Sequence, residues 1–281
     1  MIINRLLLNV GAMKSGTTWL FRQLEQHPGI HFSPEKEIHY LAFAAGHRGH
    51  LDLSYRWSRF QAALRRGDGA SSSLGWSEWS WYLDYLLMPR TWNWYTRRFN
   101  GAAPGQYCAD FSNLSALLPI EYWRELRTRV GELRLLYVLR NPLERLWSHL
   151  KFHYQHGGEQ NPLEGLQQPI ELEKGGEDQF LEHSLYAKHL SRILEVVPRE
   201  SVHLVYFDDI ASQPSKVLQE IEEFLELPHH TYLPGKLTRR INPSIDAEQP
   251  DWVQQTYAPA IRRDQAALHA LNVRVPEAWS V

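Results

Sequence analysis

The chain has 281 residues and a mass of 32.9 kDa, enough for one large α/β domain or two small ones, and for a substantial buried core. Its 30 Lys and Arg against 32 Asp and Glu leave a formal net charge of -2, so no general pull toward nucleic acid or an anionic membrane is expected, and any anion site must be local. The single cysteine, Cys108, excludes an internal disulfide framework and reads as a buried small hydrophobe in a reducing compartment.

The opening stretch MIINRLLLNVGA is too short to span a bilayer and is interrupted by Asn4 and Arg5; it reads as a strand, and the protein as cytoplasmic. Within it, RLLLNV is a continuous apolar run of the kind buried on both faces of a parallel sheet. A glycine loop follows, NVGAMKSGTTW. Gly11 and Gly16 keep the spacing of a G-x-x-x-x-G-K-[ST] phosphate loop, but Thr17 stands where its lysine belongs, and Lys14 precedes the second glycine. TTWLFRQLEQHPG then has Trp19, Leu20 and Leu24 at helical spacing, with Pro28 and Gly29 as a stop. A glycine turn between strand and helix presents backbone N–H groups and the positive end of the helix dipole to an anion. Thr17 and Thr18 add hydroxyl donors there, and Lys14 is placed to lean over the anion's outermost group, where charge builds on a bridging oxygen during transfer.

Next come PEKEIHYL, in which Glu35 and Lys36 read as solvated charges, and RRGDGASSSLG (65–75), which reads as a surface loop. An aromatic stretch from Trp76 to Phe99 reads as helices packing their rings into the core, with an acceptor-binding wall as the sharper alternative. The apolar run at 133–139 predicts a second buried strand, and Pro142 suits the first turn of the helix after it. Arg140 then lies at the C-terminal edge of that strand, where ligands of open α/β sheets bind, and Ser148 lies two helical turns further on; together they suit a second phosphate. His149 and His153 share a helix face without further ligands at metal spacing, so they read as helix-face residues and no metal is expected. HGGEQNPLEG (156–165) reads as another surface loop, and SVHLVYFDDI followed by SKVLQEIEEFLEL as a third strand and helix. The alternation predicts a single α/β domain over 1–281: a three-layer, P-loop-like fold with a central parallel sheet and helices on both faces.

KSGTTWL resembles the 5′-phosphosulfate loop, and RNPLERLWSHL the 3′-phosphate motif, of sulfotransferases that use 3′-phosphoadenosine 5′-phosphosulfate (PAPS). PEKEIHYL, QYCADFSN, SLYAKHLSRILEVVPRESVHLVYFDDI and KLTRRINPS follow in the expected order, so the resemblance covers nearly the whole chain. Its flavour is that of the carbohydrate-type enzymes, including the heparan sulfate sulfotransferases, and of their soluble bacterial relatives. The large eukaryotic members carry a membrane anchor, and the resemblance to the anchorless kind implies a cytoplasmic, bacterial enzyme.

The resemblance implies that Lys14 stabilises the bridging oxygen while Ser15, Gly16, Thr17, Thr18 and Trp19 line the 5′-phosphosulfate. Arg140 and Ser148 would hold the 3′-phosphate, and Arg239 and Arg240 stand where the family has a basic loop over the nucleotide, which of the two touches it being open. Glu37 matches the catalytic glutamate of the heparan sulfate type, with His39 as the alternative base; desolvation beside Ile38 and Tyr40 would make Glu37 more basic, and an extended segment would point both to one side. Where the heparan sulfate enzymes carry a glutamate-lysine-serine run, this chain has Asp110, Phe111 and Ser112; these are expected to contact the acceptor, and Phe111 suggests a less charged one. The expected donor is PAPS, without a metal. The expected acceptor is a hydroxyl or amine of a small molecule, sugar or carrier-bound chain, with no nucleic acid or membrane partner. The rivals are an ATP-dependent small-molecule kinase, with Asp208 and Asp209 as partial Mg²⁺ ligands, and a non-catalytic binding module.

Overall fold

The structure, a computed structural model, describes residues 2–65, 75–156, 166, 178–238, 241 and 244–279. Its centre is a five-stranded sheet of β1 (Ile3–Gly11), β2 (Ile30–Phe32), β3 (Tyr107–Phe111), β4 (Val130–Leu139) and β5 (Val202–Tyr206), in the order β2-β3-β1-β4-β5. All four pairings are parallel, so every strand ends on the same edge of the sheet. The expected α/β architecture and central parallel sheet are present.

β1 sits mid-sheet, and its apolar run serves both faces. Leu6, Leu8 and Val10 enter one core and Leu7 the other. β4 splits likewise, with Leu133, Leu135, Tyr137 and Leu139 on one side and Leu136 and Val138 on the other. This is why neither strand shows the polar alternation of a half-exposed sheet. The helices Thr17–Leu24 and Pro214–Phe224 cover one face through Leu20, Leu24, Leu218 and Ile221. Ile120–Arg129, Tyr186–Leu194 and the aromatic helices Trp76–Leu87 and Trp92–Arg97 cover the other.

Most of the aromatic stretch is core, although Trp76 at its start is exposed. Tyr82, Tyr85, Trp94, Tyr95 and Phe99 are buried, Tyr40 stacks on Tyr95 at 4.9 Å, and Trp81 stacks on Tyr85 at 5.0 Å. Cys108, expected to be buried, is partly so, and burial raises its thiol to about 11. Among the described residues, no helix is long and apolar enough to cross a membrane. Most of the two expected surface loops, 66–74 and 157–165, lies outside the described residues, as do Arg239 and Arg240.

Candidate active site

The strand ends converge on one open cleft of about 1710 Å³. Its floor is the turn from β1 into the Thr17–Leu24 helix. Ala12 N–H donates to Val138 O at 2.9 Å, which ties the turn to β4. Lys14 and Gly16 then adopt left-handed backbone, with φ of 67° and 89°. Gly16 is the residue that caps the helix, and a Cβ there would meet the Phe207 ring at 3.0 Å, so glycine is required on two counts. Among the described residues no side chain caps this helix, which leaves its first N–H groups available to an anion.

Arg145, which the sequence reading passed over, braces the turn from beneath. It is fully buried and donates to Met13 O at 3.2 Å, to Ser184 Oγ at 2.8 Å and to Phe180 O. Burial brings its guanidinium down to about 10. It sits on Pro142–His156 three residues before Ser148, so one helix both holds the loop and lines the cleft. His149 stands on the inner side of the same helix, buried against Phe180 and His183, and burial with Arg145 nearby depresses its pKa well below the ordinary value.

Lys14, Gly16, Thr17, Thr18 and Trp19 line the cleft with Arg140 and Ser148; the structure therefore brings both predicted phosphate motifs together. Ser15 is buried behind them. The Lys14 ammonium lies 4.4 Å from the Phe152 ring centroid, and burial, then Arg140 and Lys151, lower it to about 8. Arg140 donates to Lys14 O at 3.3 Å, pairs with the exposed Glu144 at 3.2 Å and lies over the Phe207 ring, while its buried Nε makes no hydrogen bond among the described residues. Ser148 shares a 2.9 Å hydrogen bond with Ser244. Trp19 Nε1 donates to Leu237 O and Gln23 Nε2 to Lys236 O, at 3.0 and 3.1 Å, so the Pro234–Leu237 turn is moored to the same helix.

Glu37 also lines the cleft, but its setting differs from the expectation. The 33–39 segment is not extended: Glu37 and His39 take left-handed backbone, with φ of 62° and 54°. They still come together, Glu37 Oε2 lying 3.7 Å from His39 Nε2. Burial alone would raise the Glu37 pKa, yet Lys36 and His39 outweigh it and hold the carboxyl well below the ordinary range. Lys36 is the reason, its ammonium bonding Glu37 Oε1 at 2.6 Å, while Asn113 donates to the same oxygen at 3.2 Å. Ile38 points into the core instead of covering the carboxylate. Glu35 is not solvated either: it is buried, accepting from Arg59 at 2.7 Å and from the Tyr82 hydroxyl at 2.5 Å.

Asp110, Phe111 and Ser112 do not line the cleft, contrary to the expectation that they contact the acceptor. Phe111 packs edge-on against Phe21 in the core. Asp110 accepts from Tyr95 at 2.9 Å and from Ser112 Oγ at 2.5 Å, and Ser112 Oγ in turn accepts from the His39 N–H at 2.9 Å. Burial raises the Asp110 pKa. These residues hold the backbone that carries Glu37. The kinase rival's aspartates are also turned away, Asp208 accepting from Trp279 at 3.1 Å and Asp209 pairing with Arg274 at 2.7 Å.

Comparison with known proteins agrees with the geometry. Residues 5–243 match the profile of a family described as the sulfotransferase domain. A 53-residue segment, 19% of the chain, is 42% identical to the membrane-associated sulfotransferase kil1 of Dictyostelium discoideum, of which it spans 11%. The fold is similar to a sulfotransferase from Alicyclobacillus acidocaldarius, with 21% identity, a TM-score of 0.65 and 99% of each chain covered. It is also similar to the sulfotransferase domain of the Synechococcus PCC 7002 olefin synthase, with 16% identity, a TM-score of 0.55 and 98% and 97% covered.

Proposed function

The chain belongs to the sulfotransferase family, and from that premise we propose that it moves a sulfuryl group from PAPS to an acceptor hydroxyl or amine. The acceptor is a small molecule, a sugar or a carrier-bound chain. The observation that carries this reading is the convergence, in one cleft, of the glycine turn with Lys14, the pair Arg140 and Ser148, and the carboxylate of Glu37. Among the described residues, uncapped helix N–H groups, an Arg140 Nε without a hydrogen bond and a Lys14 ammonium without a carboxylate partner suit a donor with phosphates at both ends of a nucleoside.

Bound PAPS supplies a sulfuryl group on a phosphate leaving group. Thr17, Thr18 and the helix N–H groups grip the phosphosulfate, and Lys14 places positive charge beside the oxygen that gains charge as the bond breaks. Arg140 and Ser148 orient the nucleotide through its other phosphate. Glu37, ionised through the neutral range, accepts the acceptor's proton at a carboxylate oxygen; His39, at 3.7 Å, is the alternative base. Lys36 must loosen its hold on Glu37 Oε1 for that oxygen to act.

Thermal shift tests the donor assignment. 3′,5′-Diphosphoadenosine, the donor product, is expected to raise Tm, and ATP with Mg²⁺ to raise it far less; the reverse order would restore the kinase reading. Transfer of ³⁵S from labelled PAPS to pooled candidate acceptors then separates an enzyme from a binding module.

A further inference from the structure

The Leu53–Arg65 and Trp76–Leu87 helices pack as an antiparallel pair. Arg56, near the start of the first, donates to Tyr85 O at 2.6 Å and to Leu86 O at 2.8 Å, near the end of the second. Between them the Phe60 ring lies 5.4 Å from the rings of both Trp79 and Tyr82. Each helix also carries an exposed apolar stripe. At about 100° per residue, Leu53, Trp57 and Leu64 fall within about 40° of one another, and so do Trp76, Leu83 and Leu87. Both stripes lie about 60–80° past the row of contact, counted along the chain, and antiparallel helices wind in opposite senses seen from one end, so the two stripes come out on one side of the pair. Arg59, which lines the cleft and donates to Glu35 at 2.7 Å, lies on the other side.

Trp76 is 88% exposed and Leu87 72%. With a tryptophan offering up to about 250 Å², the six side chains and the adjoining Met88 leave on the order of 800 Å² of apolar surface in water. That exceeds the roughly 300–600 Å² of the largest patch on a typical monomer and matches the roughly 800 Å² that each partner gives to a stable interface. The strip is also nearly free of charge. Gln61 and Ser80 within it, and Ser54, Ser58 and Ser77 beside it, are exposed and neutral; Asp84 at its margin is taken up by Arg97 and Arg98, and Arg65 stands at one end. No lysine occurs from 53 to 87, whereas helices that lie on a bilayer carry Lys and Arg along the polar edge. A neutral strip can meet its own copy across a two-fold axis without opposing like charges. We propose that this strip is a homodimer interface, the helix pair of one protomer packing on that of its partner, with the cleft left open on the far side of the Arg59 helix.

Sedimentation velocity on the full chain, between about 1 and 100 μM, tests it. The unsubstituted protein is expected to run at twice the 32.9 kDa chain mass. L83E should weaken the dimer by about 100-fold or more, because it sets like charges in an apolar contact. S80R, which removes no apolar side chain, should do the same if L83E does not fold. L83K should also be monomeric alone, and mixing it with L83E in equal amounts should restore a dimer. I2E, which places a charge on an exposed apolar residue far from the strip, should leave the dimer intact. A monomer at every concentration would overturn the proposal, as would a dimer that survives both L83E and S80R. So would a monomer that cosediments with phosphatidylcholine–phosphatidylglycerol vesicles and loses them in L83E, since the strip would then be a lipid surface.

Discussion

At the scale of single residues, Lys14 carries the clearest pH signature. Its ordinary value of 10.5 is brought to about 8, by burial first and then by Arg140 and Lys151. Below about pH 8 the ammonium is already present and affinity for an anionic donor should be flat. Above it, binding must first restore the proton, so affinity falls, by up to about tenfold per pH unit until the bound-state pKa is reached. Titrating 3′,5′-diphosphoadenosine between about pH 6.5 and 9.5 checks this, and K14M should flatten that part of the profile. Glu37 behaves oppositely: held low by Lys36 and His39, it stays ionised throughout that range and adds no limb to it. E37Q is expected to keep the diphosphate affinity within about twofold while lowering ³⁵S transfer by about 10²- to 10⁴-fold. Unchanged transfer would remove Glu37 from the chemistry and leave His39 as the base.

At the scale of elements, the glycine turn is the part most exposed to a single change. Gly16 combines a φ of 89° with the Phe207 ring 3.0 Å from where a Cβ would stand, and G16A meets both obstacles at once. It should cost about 1–3 kcal/mol in urea denaturation and abolish diphosphate binding, because the turn cannot shift without moving the helix N–H groups. This turn was legible in the sequence, and so were β1, β4 and β5, because apolar runs between glycine and proline signals have a direct physical reading. β2 was not: its three residues, Ile30, His31 and Phe32, are too few to show a period. β3 was missed because Cys108 and Asp110 interrupt its apolar run, and Asp110 is buried only by virtue of bonds to Tyr95 and Ser112 that no spacing announces. The same holds at the site. The positions of Lys14, Arg140 and Ser148 follow from strand ends and a helix period, whereas the left-handed backbone at Glu37 and His39, and the grip of Lys36, depend on tertiary contacts.

At the scale of the whole molecule, the sheet separates function from stability along its strands. The cleft occupies the C-terminal ends, while near the N-terminal ends Glu132 of β4 gathers a polar network. It accepts from Arg5 at 2.7 Å, from the Tyr107 hydroxyl at 2.6 Å and from Arg134 at 2.9 Å, joining β1, β3 and β4 across their first residues. Seven residues separate Glu132 from Leu139, about 23 Å at the rise of a parallel strand, so little of this network's field reaches the cleft. Burial opposes ionisation of Glu132, but the hydrogen bonds from Tyr107, Arg5 and Arg134 prevail and bring it down from 4.5 to about 2. A carboxyl with a depressed folded-state pKa stabilises the fold above its ordinary value and loses that contribution as pH falls toward the folded one. Urea midpoints should therefore decline for the unsubstituted protein between about pH 4.5 and 2. E132Q should start lower at neutral pH and decline less over that window. The contribution will be modest, because the carboxylate is a third exposed and solvent screens it. At neutral pH, E132Q should bind 3′,5′-diphosphoadenosine within about twofold of the unsubstituted protein. A tenfold loss there would mean that the two ends of the sheet are coupled, and that the network near the strand starts helps to set the cleft.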